Sequence, residues 1–234
     1  MGTSQSYKIK STPNWAKTKR AITRLAAPGN MSEANAGRFL GYFSRAVSES
    51  QTFGGAGSTT VGNFIDFISD VRNLGWEQAV QQIDAQVDVT RLTAGEFLEL
   101  LLKKCCENDS DLDDQAANVA FGILEGAIQS ELNTAEDIGT LIENATEEQI
   151  LEWVGLFYVN YIMEIFSELY YTHLEERGVI PEDVMDGLRE YVVSSVNEIL
   201  LNRPEDFNVF SQEGKDFVRR ILEDLNDLWE QSLE

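Results

Sequence analysis

The stretch TEEQILEWVGLFYVNYIMEIFSELYYTHLEERG, residues 146–178, decides the fold. Thr146 and Gln149 have the spacing of a capping box, and Gly178 is suited to the left-handed stop that ends many helices. Between them the spacing predicts a helix of about 30 residues, roughly 45 Å at 1.5 Å per residue. Its apolar residues, among them Ile150, Trp153, Phe157, Tyr158, Tyr161, Ile165, Phe166 and Tyr170, are too widely spread for one face. A helix that is apolar nearly all round is buried among others, so this one is expected to be central in an all-α, bundle-like domain.

The neighbouring segments follow the same pattern. Pro181 at a first helical position, followed by Glu182 and Asp183, opens a helix to about Leu201, before Pro204. Ser211–Leu233 reads as a last amphipathic helix, fit to pack on the body or to bind a partner. Upstream, Thr93 and Glu96 form a second capping box, starting Phe97–Cys106. Asp111-Leu112-Asp113-Asp114 reads as the acidic start of a helix to Gln129. Asp109, Asp111 and Asp113 have EF-hand spacing but lack the glycine and closing glutamate of that loop. Further helices are expected over 63–73 and from Trp76, with another from a Ser32 cap to about Val47. A short basic helix over 16–26 ends at Pro28-Gly29-Asn30.

Gln51–Thr60 holds Gly54, Gly55 and Gly57, and is expected to be a loop because each glycine costs about 1 kcal/mol inside a helix. It has no Gly-Lys-Ser/Thr to cradle a phosphate, so close backbone approach, between helices or to a partner, is the expected role. Residues 1–15 form a flexible, basic N-terminal arm, 16–62 a basic helical segment with the glycine-rich loop, and 63–234 an acidic all-α domain.

Charge divides the chain the same way. Residues 1–46 hold eight bases and one acid, Glu33, formally +7 within a total of −22. The remainder, at −29, would repel nucleic acid, since phosphate contacts need a basic footprint. An acidic surface of this kind could mimic DNA or simply be solvated. Cys105-Cys106 is neither a disulfide framework nor a zinc spacing and points to a reducing, cytoplasmic setting, the alternative being a redox-active vicinal pair. No apolar leader opens the chain, and the most apolar run, 153–163, is about half of a bilayer span. His173 is the only histidine, which leaves neither a histidine-rich metal site nor a serine–histidine pair with a recognisable elbow. HExxH and dinucleotide fingerprints are missing too. A protein without catalytic residues, cofactor or metal of its own is expected.

Met1-Gly2-Thr3-Ser4-Gln5-Ser6, the spacer to Pro13-Asn14-Trp15-Ala16, the glycine-rich Phe53–Gly62 and the aromatic helix with its successor carry a resemblance. The chain resembles the QatB family, the B component of the four-gene Qat anti-phage defence system of bacteria. The basic Tyr7-Lys8-Ile9-Lys10 stands where family members often have a Gly/Pro-rich spacer. The resemblance implies a non-enzymatic partner of a QueC-like enzyme (QatC type), which uses ATP to activate 7-carboxy-7-deazaguanine for attack by an amine. Those two compounds would belong to the partner. The system's ATPase and TatD-like nuclease are further implied partners.

On this reading Gly2, freed of Met1, accepts the 7-deazaguanine group. Thr3, Ser4, Gln5, Ser6, Pro13, Trp15, Gly54, Gly55 and Gly57 are the expected partner-binding residues. Two alternatives stay open. One is a scaffold without covalent modification. The other is an N-myristoylated membrane adaptor, since Gly2 and Ser6 also satisfy that pattern beside a polybasic stretch.

Overall fold

The computed structural model describes residues 12–50, 53–106, 111–129 and 132–233. Among them are ten α-helices and no strand: α1 (Pro13–Leu25), α2 (Glu33–Ser50), α3 (Gly55–Leu74), α4 (Trp76–Ile83), α5 (Ala94–Cys105), α6 (Leu112–Gln129), α7 (Ala135–Asn144), α8 (Glu147–Glu175), α9 (Pro181–Leu201) and α10 (Gln212–Gln231). The protein is all-α, as the periodicity predicts.

The long helix α8 runs through the middle, with α6 and α9 along its flanks. Sixteen of its 29 residues are buried, on every side of the helix, which is what its unbroken apolar surface requires. By length and composition α8 could also cross a membrane, yet 78% of the relevant window is covered by protein. It is the core helix. The α1–α2 hairpin packs on its C-terminal part, where Phe166 meets the rings of Phe39 and Phe43 at 5.2 and 4.8 Å. Helix α10 lies across α2, α3 and α9, while α4, α5 and α7 gather on α3. One continuous apolar core links these groups, from Trp15 to Trp229.

The helix ends show how far local chemistry reaches. Thr93 and Glu96 make both bonds of the predicted box. Thr134 and Asp137 make another, which opens a helix not among those expected, and an isolated bridge joins Thr93 to Thr134. At Thr146 only half of the box forms: its Oγ1 accepts from the Gln149 N–H at 3.2 Å. Glu147 instead accepts the Val209 N–H at 3.0 Å, tying α8 to the segment before α10. Gly178, at φ 70°, closes α8 as expected. The Val179 N–H reaches the Leu174 carbonyl and the Gly178 N–H that of Glu175, the paired bonds of a Schellman motif.

Two boundaries differ from the sequence reading. Helix α1 starts at Pro13, not Ala16, because Thr12 caps it and proline is pre-set for the first turn. Helix α3 starts at Gly55, so the expected loop over 51–60 is largely helix, for a reason found far away in sequence.

Candidate functional site

The described residues among the expected partner-binding set, Pro13, Trp15, Gly54, Gly55 and Gly57, fall into two places that the fold brings together. At the first, Thr12 Oγ1 accepts the Trp15 N–H and α1 begins. Trp15 is 4% exposed, edge-on to Phe43 at 6.0 Å and to Phe53 at 6.3 Å. Its neighbour Asn14 bonds Glu49 at the end of α2. Pro13 is exposed at the helix start. Trp15 therefore holds the point from which the chain runs back to Gly2. Gly2, Thr3, Ser4, Gln5 and Ser6 themselves lie outside the described residues.

Phe53 leads to the second place, the glycine turn. Gly54 sits at φ 111°, a conformation that L side chains rarely adopt, and precedes α3 as its cap without a side chain to offer. The cap comes from α6. Asp113 Oδ1 accepts the Gly54 N–H at 3.0 Å, and Oδ2 accepts the Ala56 N–H at 2.9 Å. Tyr161 of α8 donates its hydroxyl to the same Oδ1 and accepts a second bond from the Gly54 N–H at 2.9 Å. Burial, and then the neighbouring Asp113, push the Tyr161 phenol well above its usual range, so it stays a donor.

Gly57 explains itself in the same frame. A Cβ there would stand 2.9 Å from the Tyr161 ring, so only glycine lets α3 pass this close to α8. Gly62 is likewise covered by the Arg219 guanidinium, which pairs with Asp66 at 3.1 Å. A helix start rich in amides is a natural anion site, and here a carboxylate of the same chain fills it. The cluster can hold three helices in register; a protonated phenol and a carboxylate with three donors are not arranged to move protons. In the sequence Asp113 reads only as part of an acidic helix start and Tyr161 only as part of an apolar stripe; no local signal marks their contact with Gly54. Asp111, by contrast, does what an acidic helix start suggests, accepting the Asp114 N–H at 3.0 Å.

The remaining chemically suggestive side chains have structural surroundings. Cys105 and Cys106 are free and buried. Burial raises the Cys105 thiol well above its normal range and Cys106 to about 12. Both stay protonated at neutral pH, unlike reactive thiols. His173 Nε2 lies 3.0 Å from Thr23 Oγ1, joining the end of α8 to α1. Among the described residues no group of three or more His, Cys, Asp or Glu side chains is placed to hold a metal ion.

Glu125 is the group whose titration matters most. Burial, then Glu99, raise its carboxyl to about 7, and its Oε1 has no hydrogen-bond partner among the described residues. Its proton is held more tightly in the folded chain than in the unfolded one. Stability contributed by the protonated form is therefore complete below about pH 4.5 and lost as pH rises towards 7. Glu125→Gln is expected to raise stability at pH 8 by about 1–2 kcal/mol, discounted for partial exposure, and to change little at pH 4.5. Urea midpoints at the two pH values check this; equal gains at both would refute it.

The comparisons add the family. A family model described as "Qat anti-phage system associated protein QatB" matches residues 46–229, well over half of the chain. No curated protein and no solved structure matches. The matched region contains the glycine turn, Asp113, Tyr161 and all of α3–α9, and begins after α1 and most of α2. The chain belongs to the QatB family of Qat anti-phage system associated proteins.

Proposed function

We propose that within Qat anti-phage defence the chain acts as protein partner and substrate of the system's QueC-like enzyme, with Gly2 as the acceptor. The observation that carries this reading is the anchoring of the chain at Thr12 and Trp15. From that fixed point ten residues lead back to Gly2, a covalent reach of at most about 35 Å. A helical body docked outside an enzyme could thus present its terminus to an active site within the partner.

The chemistry favours an α-amine. Its reference pKa of about 7.7–8.0 leaves an appreciable neutral fraction near pH 7.5, whereas lysine, near 10.4, is almost wholly protonated. The neutral amine of Gly2 attacks the activated carboxyl carbon of 7-carboxy-7-deazaguanine. A C–N bond forms, the activating group leaves with its oxygen, and the amine proton passes to solvent. ATP and the deazaguanine belong to the partner; this chain supplies the nucleophile and the docking surface. The ATPase and the TatD-like nuclease of the system would act with this pair in the cytoplasm, without direct nucleic-acid or membrane contact by this chain.

The test is the intact mass of the N-terminal peptide from cells with and without the QueC-like neighbour. A neighbour-dependent gain on Gly2, abolished by Gly2→Pro in a chain that still forms the complex, is the expected result. Full modification of the proline variant would refute the assignment. An unmodified glycine in both cells would favour the scaffold reading, which the buried Trp15 and Gly57 support. On that reading, deletion of residues 2–11 leaves defence intact.

A further inference from the structure

Helices α1 and α2 form an antiparallel hairpin, the start of one bonded to the end of the other through Asn14 and Glu49. Each presents polar side chains at the same i, i+3, i+7 spacing: Lys17, Arg20 and Arg24 on α1, and Asn35, Arg38 and Tyr42 on α2. Both rows line one cavity of about 640 Å³, bounded also by Ala21 and by Ser232 and Leu233 at the end of α10. The wall from α10 depends on glycine. A Cβ on Gly41 would stand 2.7 Å from the Trp229 carbonyl, and one on Gly37 3.2 Å from Ser232.

Acids outnumber bases by 40 to 18 in this chain. Nevertheless Arg20, Arg24 and Arg38 form no ion pair with any described carboxylate, and Lys17 is placed over the Tyr42 ring, 5.8 Å from its centre. Glu33 is the one acid in residues 1–46. We infer that this groove is a binding site for a compact phosphate-bearing anion, an oligophosphate of the kind carried by a nucleoside triphosphate. Three guanidinium forks and an ammonium suit phosphate oxygens, and the cavity volume falls in the usual small-ligand range of about 300–1,000 Å³.

The cationic row on α1, Lys17 to Arg24, extends about 10 Å along its helix at 1.5 Å per residue, enough for consecutive phosphates, and Arg38 faces it from α2. The rest of the chain restricts the ligand's size. Charges screen over about 8 Å at physiological salt, so the acidic body does not cancel the groove's own field. A long polyanion would leave the groove and meet that body directly. This inference is independent of the chemistry at Gly2.

The full chain is titrated by calorimetry with inorganic triphosphate, ATP, adenosine and a single-stranded oligonucleotide, at about 0.15 M ionic strength. Saturable one-to-one binding of triphosphate and ATP, but not of adenosine, is expected. Equal affinities assign recognition to phosphate alone; tighter ATP adds a contact to the nucleoside. Arg20→Ala combined with Arg38→Ala should weaken both by about tenfold or more. Arg20→Lys combined with Arg38→Lys should fall between, and Arg91→Ala, which removes an exposed arginine from the short helical turn between α4 and α5, should change nothing. Arg20 and Arg38 are exposed on helix surfaces, and circular dichroism verifies that the variants fold. Absence of saturation by either phosphate, full affinity in the double alanine variant, or tighter binding of the oligonucleotide than of triphosphate would each overturn the inference.

Discussion

Replacing Asp113 by alanine is expected to lower the stability of the folded chain by about 3–5 kcal/mol. The carboxylate accepts from two backbone amides and one phenol while only 8% exposed. Its loss strands the Ala56 N–H and the Tyr161 hydroxyl, and leaves the Gly54 N–H with only the tyrosine oxygen. A buried donor without a partner costs about 1–3 kcal/mol, so the sum reaches a large part of a typical domain's stability of about 5–15 kcal/mol. Asp113→Asn keeps the shape and one acceptor and should lose about half as much. Tyr161→Phe removes one hydroxyl and should lose about 1–2 kcal/mol. Urea unfolding followed by circular dichroism measures all three. An alanine variant within about 1 kcal/mol of the parent would show that the α3 start is held by something else.

Phe166→Ala is expected to cost about 3–5 kcal/mol, for a different reason. The ring is fully buried and meets Phe39, Phe43 and Tyr170. Removing it opens a cavity where the α1–α2 hairpin is seated on α8, and also loses edge-to-face pairs worth about 0.5–1.5 kcal/mol each. The hairpin should loosen before the remainder unfolds. Limited trypsin digestion reads this directly, because Lys17, Lys19, Arg20, Arg24 and Arg38 all lie on it. Faster cleavage there than elsewhere is the expected pattern. Uniform protection at unchanged stability would mean that the hairpin is seated by other contacts.

The helices legible in the sequence were those whose ends are written locally. Thr93 with Glu96, Gly178 and Pro181 fix their own boundaries within a few residues, and α5, α8 and α9 lie where those signals put them. Thr134 with Asp137 is an equally local signal for the start of α7. The start of α3 could not be read this way. Gly54, Gly55 and Gly57 argue for a loop by propensity, and the acceptor that reverses the argument is Asp113, 59 residues from Gly54. Tertiary contact overrides propensity when a helix's free amides find a buried carboxylate. Asp113 was visible as an acid in the first turn of α6, where it suggested service to its own helix dipole; its role on a neighbouring helix has no sequence signature. The family resemblance was read chiefly from the opening residues, whereas the family match covers 46–229, the helical body.

The all-round apolar surface of α8 also has a consequence for the newly made chain. When residues 147–175 leave the ribosome, the sequences of α1, α2, α3 and α6 have been synthesised and can already pack on α8. The flank that belongs to α9 is still bare, on a segment apolar enough to be taken for a membrane span. At about 5–20 residues per second, the 21 residues of α9 follow within a few seconds. The turn at Gly178 and the helix opening at Pro181 return that segment directly onto α8. The order of elements along the chain thus brings the next helix made, α9, straight onto the bare flank of α8.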